Sequence, residues 1–291
     1  MEIGKLGAWF FLDSMGAEET AEFARTVERL GYRALWIPEA VGREPFAHAG
    51  YLLSKTERLV IATGIANIWA RDAMTMAAGA KTLAELSGGR FALGIGVSHE
   101  PLVARLRGHD YKKPYSYMRE YVTKMKSALY KAVPPKEDPP VLLAALHPKM
   151  LQLAATEATG THTYFVPPEH TAKARAILGP KPWICAEQAV ILETDAQTAR
   201  RVAREYMKTY VPRLPNYTRN LQNLGYADHD FADGCSDRLV DAIVAWGTAD
   251  KIRGRIEAHY KAGATHVCLL PLRSDGKPLP DLRALEALAA R

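Results

Sequence analysis

Short apolar runs alternate with amphipathic stretches along the whole chain. Leu6 to Leu12 (LGAWFFL) predicts a first strand, closed by Asp13-Ser14. Ala17 to Leu30 places Phe23, Val27 and Leu30 at helical spacing and stops at Gly31, as a glycine just past a helix end should. Ala34 to Ile37 is the second strand, broken by Pro38, and Leu59 to Ile65 is the third. A helix over Ala73 to Leu86 ends at Ser87-Gly88-Gly89, and Phe91 to Val97 is the fourth strand. A helix over Tyr115 to Tyr130 and a proline-rich loop, Pro134 to Pro140, lead into the fifth strand, Val141 to Ala144. The helix Lys149 to Ala158, the strand His162 to Val166, the helix Glu169 to Leu178 and the strand Trp183 to Leu192 follow. Asp195 to Trp246 reads as a helical insertion, within about residues 193–247. A helix over Asp250 to Ala262, an eighth strand over Val267 to Leu270 and a closing helix over Leu282 to Ala290 complete the chain.

Eight strands, each separated from the next by helix, require parallel pairing through crossovers. The strand runs show no polar alternation, which fits burial on both faces. A closed (β/α)8 TIM barrel and an open doubly wound sheet both satisfy this α/β pattern. The count of eight and the lack of a mid-chain linker favour the barrel, with residues 1–291 as one domain and the insertion after strand seven. In a barrel, chemistry gathers at the C-terminal strand ends.

Composition narrows the picture. With 48% hydrophobic and 24% charged residues, a disordered or disulfide-stapled chain is excluded. Cys185, Cys235 and Cys268 are far apart and form no CxxC pair, which favours a reduced, cytoplasmic setting over a zinc ribbon or thioredoxin-like site. The first residues lack the basic and long apolar regions of a signal peptide, and no apolar run is long enough for a membrane span. The net charge is +6, but the basic residues are scattered, so no nucleic-acid or membrane partner is indicated. The charge is compatible with an anionic small molecule.

The strand ends hold the candidate chemistry. Asp13 and Ser14 after strand one suit helix capping or ligand contact. Glu39 after strand two offers a carboxylate to a ligand's N–H groups, or is an ordinary loop glutamate. Gly64 in strand three suggests a bulge or close approach of a bound group, with Ile65 and Asn67 beside it. After strand four, Gly96, Ser98, His99 and Glu100 stand together, and His99 with Glu100 suits proton transfer by residue type. The GxG here lacks the third glycine of a dinucleotide fingerprint. Leu146, His147, Lys149 and Met150 open a helix whose free N–H groups and lysine suit a phosphate. His162, Thr163 and Tyr164 in strand six are polar groups in a buried run, so some should meet a ligand or one another; Glu187-Gln188 interrupt strand seven in the same way, and Glu187 is either a salt-bridged structural group or a site residue. Asp228-His229-Asp230 has metal-like composition, but no second cluster completes a coordination sphere, and no metal is expected. No GxSxG, P-loop or HExxH occurs.

Several segments taken together carry a resemblance. They are Leu35-Trp36-Ile37-Pro38-Glu39, Ile61 to Asn67, Ser87-Gly88-Gly89-Arg90-Phe91 through Leu93-Gly94-Ile95-Gly96, and Ala262 to Val267. From Leu6 to about Leu272 the chain resembles the bacterial luciferase-like family of flavin monooxygenases and deazaflavin-dependent oxidoreductases. Ala145 to Leu151 and Ser236 to Asp241 resemble its actinobacterial branch, which uses coenzyme F420. The resemblance implies a (β/α)8 barrel with an insertion after strand seven. It also implies a non-prolyl cis peptide in a strand-three bulge, here Gly64-Ile65, pressing on the cofactor ring, and a phosphate at Leu146 to Met150. Catalytic candidates are Glu39, His99 and Glu100, with a substrate group as the alternative acid or base, and cofactor contacts fall to Glu39, Gly64, Ile65, Asn67, Gly96, Ser98, Leu146, His147, Lys149, Met150 and Thr163. It implies a homodimer around the helix bearing Ala77-Ala78-Gly79-Ala80, although those small residues equally allow packing within the chain.

Two positions depart from the family pattern. Glu39-Ala40 stands where many deazaflavin members have Asp-His, so that proton donor is missing. His147 stands where close relatives favour glycine. The expected function is hydride transfer between a deazaflavin and a small organic substrate. The alternatives are an FMN-dependent monooxygenase, a flavin-binding barrel without turnover, and a sugar-phosphate isomerase or aldolase barrel, the last without a Schiff-base lysine at a strand end.

Overall fold

The computed structural model describes residues 1–289. In chain order the strands are β1 (Leu6–Trp9), β2 (Ala34–Ile37), β3 (Val60–Thr63), β4 (Ala66–Asn67), β5 (Phe91–Gly96), β6 (Val141–Ala144), β7 (Gly160–Thr163), β8 (Trp183–Ile191), β9 (Val244–Trp246) and β10 (His266–Pro271). The helices are α1 (Ala17–Arg29), α2 (Pro45–Ser54), α3 (Ala73–Leu86), α4 (Pro114–Lys126), α5 (Pro148–Glu157), α6 (Pro168–Leu178), α7 (Ala196–Met207), α8 (Pro215–Gln222), α9 (Asp228–Phe231), α10 (Asp237–Ile243), α11 (Ala249–Lys261) and α12 (Leu282–Leu288). β1, β2, β3, β5, β6, β7, β8 and β10 pair in parallel, and the β8–β10 and β10–β1 pairings close the cylinder. This is a (β/α)8 barrel. Between β8 and α11 the chain runs through α7, α8, α9, α10 and β9. No helix among the described residues is long and apolar enough to cross a membrane.

An aromatic layer inside the barrel joins β2, β7 and β10. Trp36 lies against the His162 ring at a centroid distance of 4.5 Å and 15° between planes. Its indole N–H donates to His266 Nε2 at 3.0 Å, and His266 Nδ1 meets the Gly4 carbonyl at 2.8 Å. This pairing fixes the neutral His266 tautomer, with its proton on Nδ1. Burial pushes both His162 and His266 down to about 4. The layer requires Gly7, because a Cβ there would stand 2.6 Å from His266 Nε2. On the opposite wall Gly94 lies so close to β3 that a Cβ would stand 2.1 Å from the Thr63 carbonyl oxygen. Thr63 Oγ1 in turn donates to the Gly94 carbonyl at 2.7 Å and accepts its N–H at 2.9 Å.

Some boundaries differ from those the apolar pattern predicts. β7 begins at Gly160 and stops at Thr163, because Phe165 takes a left-handed conformation (φ 60°) and turns the chain across the mouth. The third strand is split into β3 and β4 at Gly64-Ile65. α2 and a π-helical turn over Pro101–Leu106 had no clear sequence signal, since α2 begins in a loop-like Gly-Arg-Glu-Pro run. α4 ends at Lys126, short of Tyr130. Ala290, expected in the closing helix, lies outside the described residues. Asp13 and Ser14 do not cap α1, whose N-cap is Gly16; Asp13 accepts the Arg43 N–H and Ser14 donates to the Pro278 carbonyl. The small residues of α3 serve packing within the chain: Ala77 and Ala80 are buried, and a Cβ at Gly79 would meet Phe46 of α2 at 2.8 Å.

Candidate active site at the barrel mouth

The C-terminal strand ends converge on the break between β3 and β4. The Gly64-Ile65 peptide is cis, as the resemblance implied. Trp9 Nε1 donates to the Gly64 carbonyl at 3.1 Å, and a Cβ on Gly64 would stand 2.6 Å from that same nitrogen. Gly96 accommodates the bulge rather than leaving a gap: a Cβ there would meet Ile65 Cδ1 at 2.7 Å. The sequence offered Gly96 to a ligand, but Ile65 fills its space.

Glu39 braces this bulge from both ends. Its N–H donates to the Ile65 carbonyl at 3.2 Å, and its Oε2 accepts the Asn67 N–H at 2.7 Å. Arg71 grips the same carboxylate with two bonds, 2.9 Å to Oε2 and 3.0 Å to Oε1, and reaches Glu44 at 3.0 Å. Arg107 lies at 3.6 Å. The Glu39 side chain is 5% exposed. A carboxylate engaged so fully within the protein has little capacity left for a ligand's N–H groups, so the structure gives Glu39 a bracing role. The apolar pattern did not single out Arg71, because a loop arginine carries no periodic signal.

His99 and Glu100 do not form a pair. His99 turns inward against Tyr217, at a ring distance of 5.5 Å, and burial lowers it to about 4. Glu100 is exposed at the start of the π-helical turn. Ser98 takes a left-handed conformation, φ 54°, and its carbonyl accepts the Tyr111 hydroxyl. At the start of α5, His147 is the N-cap residue but makes no side-chain cap, and its Nε2 is buried without a partner. Lys149 is exposed and Met150 half-buried, while the Leu146 carbonyl meets His170 Nε2 at 2.9 Å.

The insertion closes over this mouth. Tyr164 packs on Trp9 at 4.9 Å and meets Tyr210. The Tyr164 and Tyr210 hydroxyls are 2.7 Å apart, and Tyr206 donates to Tyr164 at 3.1 Å. Tyr217 and Phe165 join the same cluster. Beneath it, Glu187 is 1% exposed and accepts the Phe165 N–H at 3.0 Å through Oε2. Its Oε1 has no partner, and burial pushes the carboxyl up to about 8. The sequence missed the insertion's part in the site; Tyr206, Tyr210 and Tyr217 at spacings of four and seven were its one readable signal, a helical aromatic stripe. Unpartnered buried atoms lie at this end: Asn67 Nδ2, His147 Nε2, Thr163 Oγ1 and Glu187 Oε1. Such groups are expensive to leave unpaired, and several at one barrel end suit a polar ligand. In the Asp228-His229-Asp230 stretch, Asp230 is held by Arg238 at 2.8 Å and by Ser236 at 2.6 Å. Among the described residues no group of three His, Cys, Asp or Glu side chains is placed to hold a metal.

The family model described as luciferase-like monooxygenase matches residues 5–266. The chain belongs to the luciferase-like monooxygenase family. Within that family it is similar to a Mycobacterium tuberculosis protein assigned as a coenzyme F420-dependent oxidoreductase, with 24% identity over 98% of this chain and 99% of that one. It is also similar to the 5,10-methylenetetrahydromethanopterin reductase of Archaeoglobus fulgidus, with 25% identity over 88% of this chain and 90% of that one. Among solved structures, an F420-dependent secondary alcohol dehydrogenase bound to an F420–acetone adduct superposes with a TM-score of 0.78 over 99% of this chain and 97% of its own. At 16% identity that likeness establishes the luciferase-like barrel fold and nothing finer.

Proposed function

We propose that the chain is a coenzyme F420-dependent oxidoreductase that transfers hydride to or from a small organic substrate at the barrel mouth. The observation that carries this reading is the end-to-end similarity to a relative assigned to that cofactor. The cluster of unpartnered buried atoms at the strand ends supports it. When bound, the deazaflavin supplies a two-electron hydride carrier. The bulge at Gly64-Ile65, braced by Glu39 and Asn67, would position its ring. The start of α5, with Leu146, His147, Lys149 and Met150, would hold its phosphate, and Thr163 Oγ1 offers a further polar contact. The net charge of +6 suits an acidic cofactor tail. The reading includes one catalytic domain over residues 1–291, a homodimer, and a reducing compartment in keeping with three buried free cysteines.

Separate fluorescence titrations of the purified protein with F420 and with FMN test it. Saturable F420 quenching with FMN at least tenfold weaker is the expected result. FMN binding without F420 binding would place the chain with the flavin monooxygenases instead. F420 binding without turnover on any substrate of a broad panel would mark a non-catalytic barrel.

A further inference from the structure

The basic residues are spread along the chain, but the acidic ones avoid one stretch of it. Residues 105–136 hold nine of the 38 basic residues and two of the 32 acidic ones, Asp110 and Glu120. That segment carries +7 where the whole chain carries +6, so the other 259 residues carry −1. The insertion over residues 193–247, the other excursion beside the mouth, has seven basic and eight acidic residues and carries −1. We propose that the segment from the π-helical turn down α4 is the docking track for the polycarboxylate tail of the deazaflavin, a chain of glutamates beyond its phosphate. This rests on the deazaflavin reading above and assigns the surface that holds the acidic end of that ligand.

Placement carries the proposal. The segment begins at the mouth, where Arg107 donates to the Ala40 carbonyl at 3.0 Å and the Tyr111 hydroxyl donates to the Ser98 carbonyl at 3.1 Å. α4 and α5 follow the neighbouring parallel strands β5 and β6, so both helices run away from the mouth. The Lys126–Glu157 ion pair, at 2.8 Å, joins their last residues and holds them side by side. Their starts, Lys113-Pro114 and His147-Pro148, are therefore neighbours at the mouth. The phosphate is read at the start of α5, where Lys149 is exposed. A tail leaving that point meets the start of α4 without crossing the insertion.

The charge along the track is free. The segment's own acids are taken: Asp110 by Lys112 at 2.8 Å and Glu120 by Lys124 at 2.6 Å. Glu137 and Asp138, just past it, pair with the Met1 amino group and Lys81. Arg105, Lys113 and Arg119 are exposed and form no ion pair among the described residues, and Lys131 and Lys136 continue the series beyond α4. A surface of one sign at the lip of a cleft concentrates a ligand of the opposite sign, and the effect falls with salt.

The test compares F420 with the same cofactor stripped of its glutamates, each titrated by fluorescence. The track variant is Arg105→Gln/Lys113→Asn/Arg119→Gln. Asparagine suits position 113 because Lys113 is left-handed, φ 47°. The control, Lys181→Gln/Arg201→Gln/Lys261→Gln, removes the same charge from exposed positions elsewhere. At low salt the wild type is expected to bind the tailed form about tenfold more tightly than the stripped form, with the gap closing to about twofold at about 0.3 M salt. The track variant is expected to bind both forms with nearly the stripped form's wild-type affinity, within about twofold, and the control to keep the full gap. Equal wild-type affinity for the two forms overturns the assignment. So does a track variant that keeps the gap, which would leave the charge to another polyanion such as a nucleic acid. A control that loses as much as the track variant also overturns it, since net charge rather than this surface would then attract the tail. A wild type that binds neither form overturns the deazaflavin reading and the assignment with it, whereas tight binding of both forms alike removes the assignment alone.

Discussion

Replacing Arg71 with alanine is expected to lower stability by about 3 kcal/mol and the melting temperature by several degrees. The argument lies in what remains behind. Glu39 is buried, and Arg71 supplies its two shortest charged contacts. Without them the carboxylate keeps the Asn67 N–H and an Arg107 guanidinium at 3.6 Å. An ion left buried after losing its partner is destabilised far more than an exposed pair of equal geometry. The Arg71 side chain also reaches Glu44 at 3.0 Å and lies over the Phe46 ring at 5.1 Å, so it ties the start of α2 to the mouth. Arg71→Lys keeps the charge and loses the two-pronged fit, and its loss should be intermediate. Adding Glu39→Gln to Arg71→Ala removes the stranded charge and should recover part of the stability. Urea unfolding midpoints of the three variants measure this series. A midpoint for Arg71→Ala equal to that of the wild type would show that Glu39 is not held as described. Because Glu39 also braces Ile65 and Asn67, Arg71→Ala should weaken F420 binding as well.

The barrel was legible because its signal is redundant. Each strand is a short, unbroken apolar run and each crossover is an amphipathic helix, so an error in one boundary does not change the topology. The cis bulge was legible through its glycine and the resemblance that placed it. The mouth was less so, because its chemistry comes from contacts between residues far apart in the chain. Glu39 reads the same whether it meets a ligand or Arg71, which is 32 residues away. His99 and Glu100 are adjacent in sequence, yet one is turned inward and the other faces solvent. Glu187 was visible as a polar interruption in an apolar strand. Its upward shift follows from burial, which a polar residue's place in the sequence does not reveal.

Stability should pass through a maximum near pH 6.5 and fall steeply on the acid side. His162 and His266 are buried, and their folded values of about 4 lie below the ordinary 6.5. Above pH 6.5 both are neutral in the folded and unfolded chain and contribute no pH dependence. As the pH falls from 6.5 to 4, the unfolded chain takes up protons that the folded one refuses, so stability is lost across that window. At about 1.4 kcal/mol per pKa unit, each histidine accounts for about 3 kcal/mol at the acid limit. His48, His170 and His259, also lowered by burial, add to the same limb. Glu187 acts in the opposite direction. Its folded value of about 8 lies above the ordinary 4.5, so between those limits the folded chain holds a proton that the unfolded chain has released. Stability therefore declines as the pH rises from 6.5 to 8, where Glu187 acts without the histidines. Urea midpoints of the wild type and Glu187→Gln between pH 4.5 and 8.5 separate the two limbs. The variant should keep the acid limb, made steeper, and lose the decline above pH 6.5. A variant curve that runs parallel to the wild type above pH 6.5 would mean that Glu187 is ionised in the folded protein, and that the tyrosine cluster overlies a carboxylate rather than an acid.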